Sequence, residues 1–199
     1  MSTSNAQARA ANKRPYKSAK RDEGREATRR RIVEAAVDLH STLGPARTTV
    51  AQIAARAGVQ RHTYYAHFPE ERELFLACSG LALGRDPLPD PAPWRASPPG
   101  RERLERGLAA LYGWYARNAE MAACVLRDAA HHALTREMAE LRMAPALGAA
   151  GATLGEGLTA RQQALLGVAM DFACWRALAA ARDPQAAAAL MAQAISALG

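Results

Sequence analysis

Apolar residues recur along most of the chain at helical spacing, and nowhere alternate with the period of two that marks a half-buried strand. Ile32, Ala36, Leu39 and Leu43 follow one another at i, i+4, i+7 and i+11, which predicts a helix from Arg25 that Gly44-Pro45 stops. Val50, Ile53, Ala54 and Ala57 form the inward face of a short second helix. Thr49 followed by Gln52 is a capping-box signature at its start, and Gly58 suits a left-handed residue at its end. A third short helix is predicted from about Gln60 to His67, with Pro69 just beyond it. Glu70, Glu71 and Glu73 open a fourth, which carries Leu74, Phe75 and Leu81 and fades at Gly84; acidic side chains suit the positive end of a helix.

Residues 85–100 hold six prolines and read as an irregular connector. Beyond them the pattern is helical again. Leu104, Leu108, Leu111 and Tyr115 form one stripe, and Met121 and Val125 a second helix from near Asn118. A third is predicted over about Thr135–Met143, ending by Pro145, followed by a glycine-bearing loop, GAAGATLGEG. A long helix is predicted from Thr159, with Leu165, Val168, Phe172, Trp175 and Leu178 along it, until Asp183-Pro184 breaks it. The last helix carries Leu190, Met191, Ala194, Ile195 and Leu198. The fold class is therefore all-α, with a three-helix N-terminal unit and a C-terminal helical bundle.

Composition sharpens this picture by position. The chain has 199 residues, is 49% hydrophobic and carries a net charge of +7. Residues 1–68 hold 13 Lys/Arg against 5 Asp/Glu, whereas the rest is nearly balanced. So the whole positive excess lies in the first third, which points to a polyanionic partner there, nucleic acid before a membrane surface. Residues 1–24 are polar, basic and poor in large apolar side chains. They read as a disordered arm in which Lys13, Arg14, Lys17, Lys20 and Arg21 could track phosphates. The predicted organisation is the arm at 1–24, a nucleic-acid-binding unit at 25–72, and a helical domain at 73–199.

A capped helix, a glycine turn and a short second helix make a helix-turn-helix. The trailing helix of such a pair offers its first side chains to base edges in the major groove, and Gln60, Arg61 and His62 hold those places. Arginine can take guanine bidentately and glutamine can take adenine. Thr63, Tyr65 and His67 suit phosphate oxygens, which position a helix without reading sequence. Tyr64 and Phe68, four apart, can pack onto the preceding helices.

The stretch TTVAQIAARAGVQRHTYYAHFPEERELFLA resembles the DNA-binding signature of the TetR family of bacterial transcriptional regulators, and RRRIVEAAVDLHSTLG is similar to that family's first helix. The likeness covers roughly residues 25–80. It implies a double-stranded DNA operator as partner, with Thr48 and Thr49 at phosphates, Gln60, Arg61 and His62 facing bases, and Thr63, Tyr65 and His67 on the backbone. It also implies a homodimer through the last two helices, about 159–181 and 184–198, a palindromic operator, and a small-molecule effector. Candidate pocket residues are Trp114, Tyr115, Met121, Cys124, Met138, Phe172 and Trp175. Two positions depart from the family pattern. His62 stands where a small residue is usual, and Glu71 where a lysine usually meets phosphate, a contact that Arg72 or the basic arm would have to replace.

Other functions find little footing. The chain contains no HExxH, GxSxG or phosphate-loop motif, so an enzyme is not expected. Cys78, Cys124 and Cys174 form no CxxC pair, and adjacent residues such as His131 and His132 point about 100° apart on a helix, so no metal site or cofactor is expected. No run reaches the roughly 18–20 apolar residues of a membrane span, and a cytoplasmic location is expected. The remaining alternatives to a ligand-responsive repressor are a DNA-binding activator and an architectural protein without sensing.

Overall fold

The computed structural model describes residues 4–180 and 183–198, with side chains from Lys20 onward. Ten α-helices follow in order: α1 Ser4–Thr42, α2 Val50–Ala57, α3 Arg61–His67, α4 Glu71–Arg85, α5 Arg101–Arg117, α6 Ala119–Ala129, α7 Ala133–Leu154, α8 Ala160–Ala169, α9 Phe172–Ala179 and α10 Pro184–Ser196. Short 3₁₀ turns occupy Pro45–Arg47 and Ala92–Ala96, and no strand occurs among the described residues. The all-α expectation holds.

The first three helices form as their sequence dictates. Thr49 caps α2: its hydroxyl accepts the Gln52 amide at 3.3 Å while the Gln52 side chain accepts the Thr49 amide at 2.8 Å. Gly58 ends α2 at φ 64°, ψ 40°, and its amide and that of Val59 return to α2 carbonyls. Tyr64 and Phe68, both buried, then lock α3 onto Ile32, Ala36, Ile53 and Ala54. The buried face of α1 is wider than the predicted stripe, for Val33, Ala35 and His40 join it while Leu43 is largely exposed.

Four expectations need correction. The helix does not start at Arg25: residues 20–24 are already helical and exposed, in continuation of α1. Lys20, Arg21 and Glu23 favour helix without any packing, and Asp22 and Gly24 are carried by the helix that continues beyond them. The side chains of Lys13, Arg14 and Lys17, expected to track phosphates, precede Lys20 and lie outside the described side chains. The third C-terminal helix does not end at Pro145, since α7 runs through it and through Gly148 and Gly151 to Leu154. Proline removes one ladder hydrogen bond. Packing of Ala150, Thr153 and Leu154 against the core outweighs that loss.

The predicted long helix from Thr159 is instead two, α8 and α9, separated at Met170-Asp171. Asp171 begins a new helix by accepting the Ala173 amide at 2.6 Å and the Cys174 amide at 3.4 Å. The carbonyls at the break are met from α5, where Tyr112 donates to Ala169 and Tyr115 to Met170, both at 2.7 Å. The fourth correction concerns the pocket and is given below.

The C-terminal core gathers Leu104, Leu108, Leu111, Tyr112 and Trp114 of α5 with Leu154, Leu166, Phe172, Trp175, Met191 and Ile195. The main helix pairing within it is α5 on α10, lined on the α10 side by Ala187, Ala188 and Ala192. Small residues let the two backbones approach. On α5, Gly107 serves the same purpose towards α7: a Cβ there would stand 2.5 Å from Leu154 Cδ2. α4 joins the two halves, with Leu74 and Cys78 in the N-terminal cluster and Leu83 against the C-terminal one. The domain boundary expected at residue 72 falls within its first turn.

Candidate nucleic-acid interface and effector cavity

The exposed face of α3 is built by the anchoring of its other face. With Tyr64 and Phe68 buried, Gln60, Arg61, His62 and Tyr65 are left in solvent, Tyr65 47% exposed and edge-on to Tyr64. Gln60 is the N-cap of α3, yet its side chain makes no capping bond, so its amide group is uncommitted. Thr63 and His67 are half-buried at the flank. Desolvation and the neighbouring Arg25 and Arg29 hold the His67 pKa below the usual imidazole value. Arg29 also lies over the Phe68 ring, 4.8 Å from its centroid. Arg25 and Arg29 extend the cationic face of α3; their role was hidden in sequence because α1 meets α3 only through the fold.

Thr48 and Thr49 stand at the opening of α2, but both hydroxyl protons are spoken for. Thr48 donates to the Gly44 carbonyl at 2.8 Å and Thr49 to Gln52 Oε1 at 2.9 Å. A phosphate at this end would meet the free first amides of α2 and the hydroxyl lone pairs would face it unfavourably. Glu71 opens α4 close enough to Tyr64 to push that phenol's pKa up, after the larger effect of burial. Arg72, in the same turn, pairs with Glu137 of α7, Arg72 Nη2 lying 2.7 Å from the carboxylate.

A cavity of about 90 Å³ opens where the N-terminal helices meet the bundle. Its walls come from α1 (Val37, His40), α4 (Phe75, Cys78, Ser79), α5 (Trp114), α6 (Met121, Val125) and α7 (Thr135, Met138, Arg142). Of the seven residues expected at a pocket, Trp114, Met121 and Met138 line it. Tyr115, Phe172 and Trp175 do not; they stack on one another with centroids 5.4–5.7 Å apart and form the mould for the α8–α9 break. Cys124 faces the Thr42 carbonyl instead, at 3.6 Å. The expectation looked only within residues 100–180, whereas much of this cavity's wall belongs to α1 and α4. His40 and Cys78, polar-tipped residues on otherwise apolar helical faces, were the available sign.

The cavity's polar groups are mostly silent. Burial, against a smaller opposing pull from Asp128, brings the His40 pKa down to about 4, so the ring is neutral; its Nδ1 sits 3.5 Å from Cys78 Sγ. Burial pushes the Cys78 thiol up to about 12, which leaves it unreactive. His132 is spent as the N-cap of α7, its Nδ1 2.7 Å from Thr135 Oγ1. No group of His, Cys, Asp and Glu suited to a metal ion occurs among the described residues. Likewise no described helix is long and apolar enough to cross a membrane.

Comparison with known proteins matches this geometry. Residues 32–78, which span α1 to α4, fit the family model described as bacterial regulatory proteins, tetR family. Among solved structures, a putative TetR-family transcriptional regulator from Mesorhizobium loti MAFF303099 is similar at a TM-score of 0.60 and 15% identity, over 87% of this chain and 97% of that one. A TetR-like transcriptional regulator from Rhodococcus sp. RHA1 gives 0.58 and 23%, over 84% and 93%. The multidrug binding protein EbrR, complexed with imidazole, gives 0.55 and 21%, over 83% and 93%. At these identities the likeness is one of fold. No curated protein matches the chain.

Proposed function

From an N-terminal region that matches the family model of bacterial regulatory proteins of the tetR family, we propose that the protein is a ligand-responsive repressor that binds a near-palindromic operator as a homodimer. The observation that carries the reading is the uncommitted N-terminal face of α3. Gln60, Arg61 and His62 are exposed there without internal partners, on a helix that Tyr64 and Phe68 hold rigidly. Such a helix presents donors to base edges in the major groove. Thr63, Tyr65, His67, Arg25 and Arg29 would grip the flanking phosphates, and the α2 amides beside Thr48 and Thr49 another.

Dimerisation would use α8 and α10. Val168, Leu190 and Leu198 are 55%, 38% and 44% exposed and offer apolar contacts to a second copy, while the opposite face of α10 is occupied by α5. Two-fold pairing would set the recognition helices ~34–36 Å apart, one turn of duplex. Sensing is supported by the cavity, whose walls include both DNA-binding helices and bundle helices. An effector there would act by its differential affinity for two arrangements of α4 against α7. EbrR, a multidrug binding protein of the same fold, lends the sensing role further support. These supports favour a sensing regulator over an architectural protein, and a cytoplasmic location suits the role.

Selection of bound duplexes from a random pool, repeated with Arg61→Ala, tests the reading. An inverted repeat should emerge, and the variant should lose its preference at one base pair of each half-site. A chain that selects no sequence at low salt would defeat the proposal.

A further inference from the structure

Resting on the reading of this cavity as an effector site, we infer that its ligand is a slender amphipathic monoanion, an acyl-chain carboxylate, whose head group is taken by Arg142. The cavity wall is apolar save for a few groups, and those carry no negative charge: none of the described lining residues is Asp or Glu. Of the polar lining groups, His40 is neutral and Thr135 is engaged by His132. Arg142 is the one formally charged side chain in the wall.

Its guanidinium is held but not neutralised. Nε donates to Ser79 Oγ at 3.3 Å and Nη2 to the Leu76 carbonyl at 2.9 Å. No described carboxylate lies within ion-pair distance of it. Guanidinium carries five N–H donors, so three remain without a protein acceptor. Gly80 lets the group lie against α4, since a Cβ at that position would stand 3.3 Å from Nη2. A half-buried arginine facing an apolar space, positioned by neutral acceptors and short of a counter-charge, is complementary to a carboxylate bearing an apolar tail. A cationic ligand would meet repulsion and find no carboxylate.

The body of the ligand is limited by space. At about 90 Å³ the cavity falls short of the ~150 Å³ that accommodates a benzene ring. A neighbouring groove shares Val37, Ser41, Ala82 and Met121 with the cavity. Beyond these shared residues the groove is lined by Arg85, Asp86, Arg117, Asn118 and Glu120, which do not suit an apolar tail, so the tail is short and linear and stays within the cavity and its mouth, where a fused ring system could not enter.

The test uses the full-length protein and three probes of equal chain length, hexanoate, hexanol and hexylammonium. Binding is read from the fluorescence of Trp114, with a Trp114→Phe variant identifying its signal, and from ligand-induced shifts in melting temperature. Hexanoate should bind on the order of tenfold more tightly than hexanol, and hexylammonium more weakly than either. Arg142→Gln, checked for its helical circular dichroism, should bring hexanoate down to the level of hexanol, and Arg142→Lys should restore part of the difference. Equal affinity of hexanol and hexanoate, no binding of any probe, or an unchanged preference in Arg142→Gln would overturn the inference. Release of DNA by hexanol as readily as by hexanoate would leave a sensor without anion selectivity. Arg142-dependent hexanoate binding that leaves DNA affinity unaltered would uphold the inference and remove the sensing role.

Discussion

The carboxylate of Asp128, in α6, accepts the backbone amide of Ala46 at 2.9 Å, and so ties the turn after the first helix to the bundle across 82 positions of sequence. Asp128 is only 1% exposed. Burial alone would raise its pKa, but Arg127, bonded to it at 2.8 Å, and the Ala46 amide outweigh that effect and hold it below the usual carboxylate value. Arg127 reaches on to the Leu43 carbonyl at 2.8 Å, which completes a clasp around Gly44.

Breaking the clasp should destabilise the chain strongly. Asp128→Ala leaves the Ala46 amide without its acceptor and takes one of the two acceptors of Arg127, for a loss of roughly 1–3 kcal/mol in denaturant unfolding. Gly44→Ala should be at least as damaging. Its φ of 99° is costly for any other residue, and a Cβ there would stand close upon Arg127 and Asp128. A loss below about 0.5 kcal/mol in both variants would show that the two halves hold together without this contact.

Readout should divide along α3. Arg61→Ala should cost about 1–3 kcal/mol of affinity for the selected operator and relax preference at one base pair, because a bidentate base contact carries sequence information. Tyr65→Phe should weaken operator and unrelated duplex alike, as loss of a phosphate contact does. Anisotropy titrations of both variants on both duplexes separate the two outcomes. Uniform weakening by Arg61→Ala would assign that side chain to the backbone instead.

The N-terminal half was legible because its determinants are local. A Thr49–Gln52 box, a glycine at Gly58 and aromatic anchors at Tyr64 and Phe68 each act within a few residues, so sequence order alone carries them. The sensor half was less so, because its decisive contacts are distant. The α8–α9 break depends on Tyr112 and Tyr115, more than fifty residues away, and persistence of α7 through Pro145 depends on what Leu154 packs against. Arg142 escaped notice for the same reason: only the fold shows that α4 supplies neutral acceptors and nothing acidic beside it.

Acid should loosen the fold through His40. Its pKa, about 4 in the fold, lies below the unfolded value of 6.5, so the unfolded chain takes up the proton first. The stability that depends on a neutral ring is complete above about pH 6.5 and declines as pH falls towards 4, by something on the order of 3 kcal/mol. Asp128, also held low, adds its own loss at the acid end of the range. His40→Gln should therefore flatten the decline between pH 6.5 and 4.5 in urea midpoints and leave the steeper fall below it. Parallel pH profiles for wild type and variant would mean that the ring is hydrated and titrates normally.

The exposed apolar residues of the last helices set the final expectation. α10 places Ala187, Ala188, Met191, Ala192 and Ile195 against the protein's own core and Leu190 outward, and the exposed Leu198 follows just past its end. A glutamate on the outward face costs little in a monomer but buries an unpaired charge in a symmetric interface, and it does so twice because each subunit contributes it. Leu190→Glu should therefore shift sedimentation equilibrium towards monomer while the circular dichroism spectrum stays helical. DNA affinity should fall with it, since a single recognition helix loses the contribution of the second half-site. A variant that sediments as the wild type does would move the interface away from α10, and a wild-type protein that is monomeric at micromolar concentration would leave these leucines without the partner that their exposure calls for.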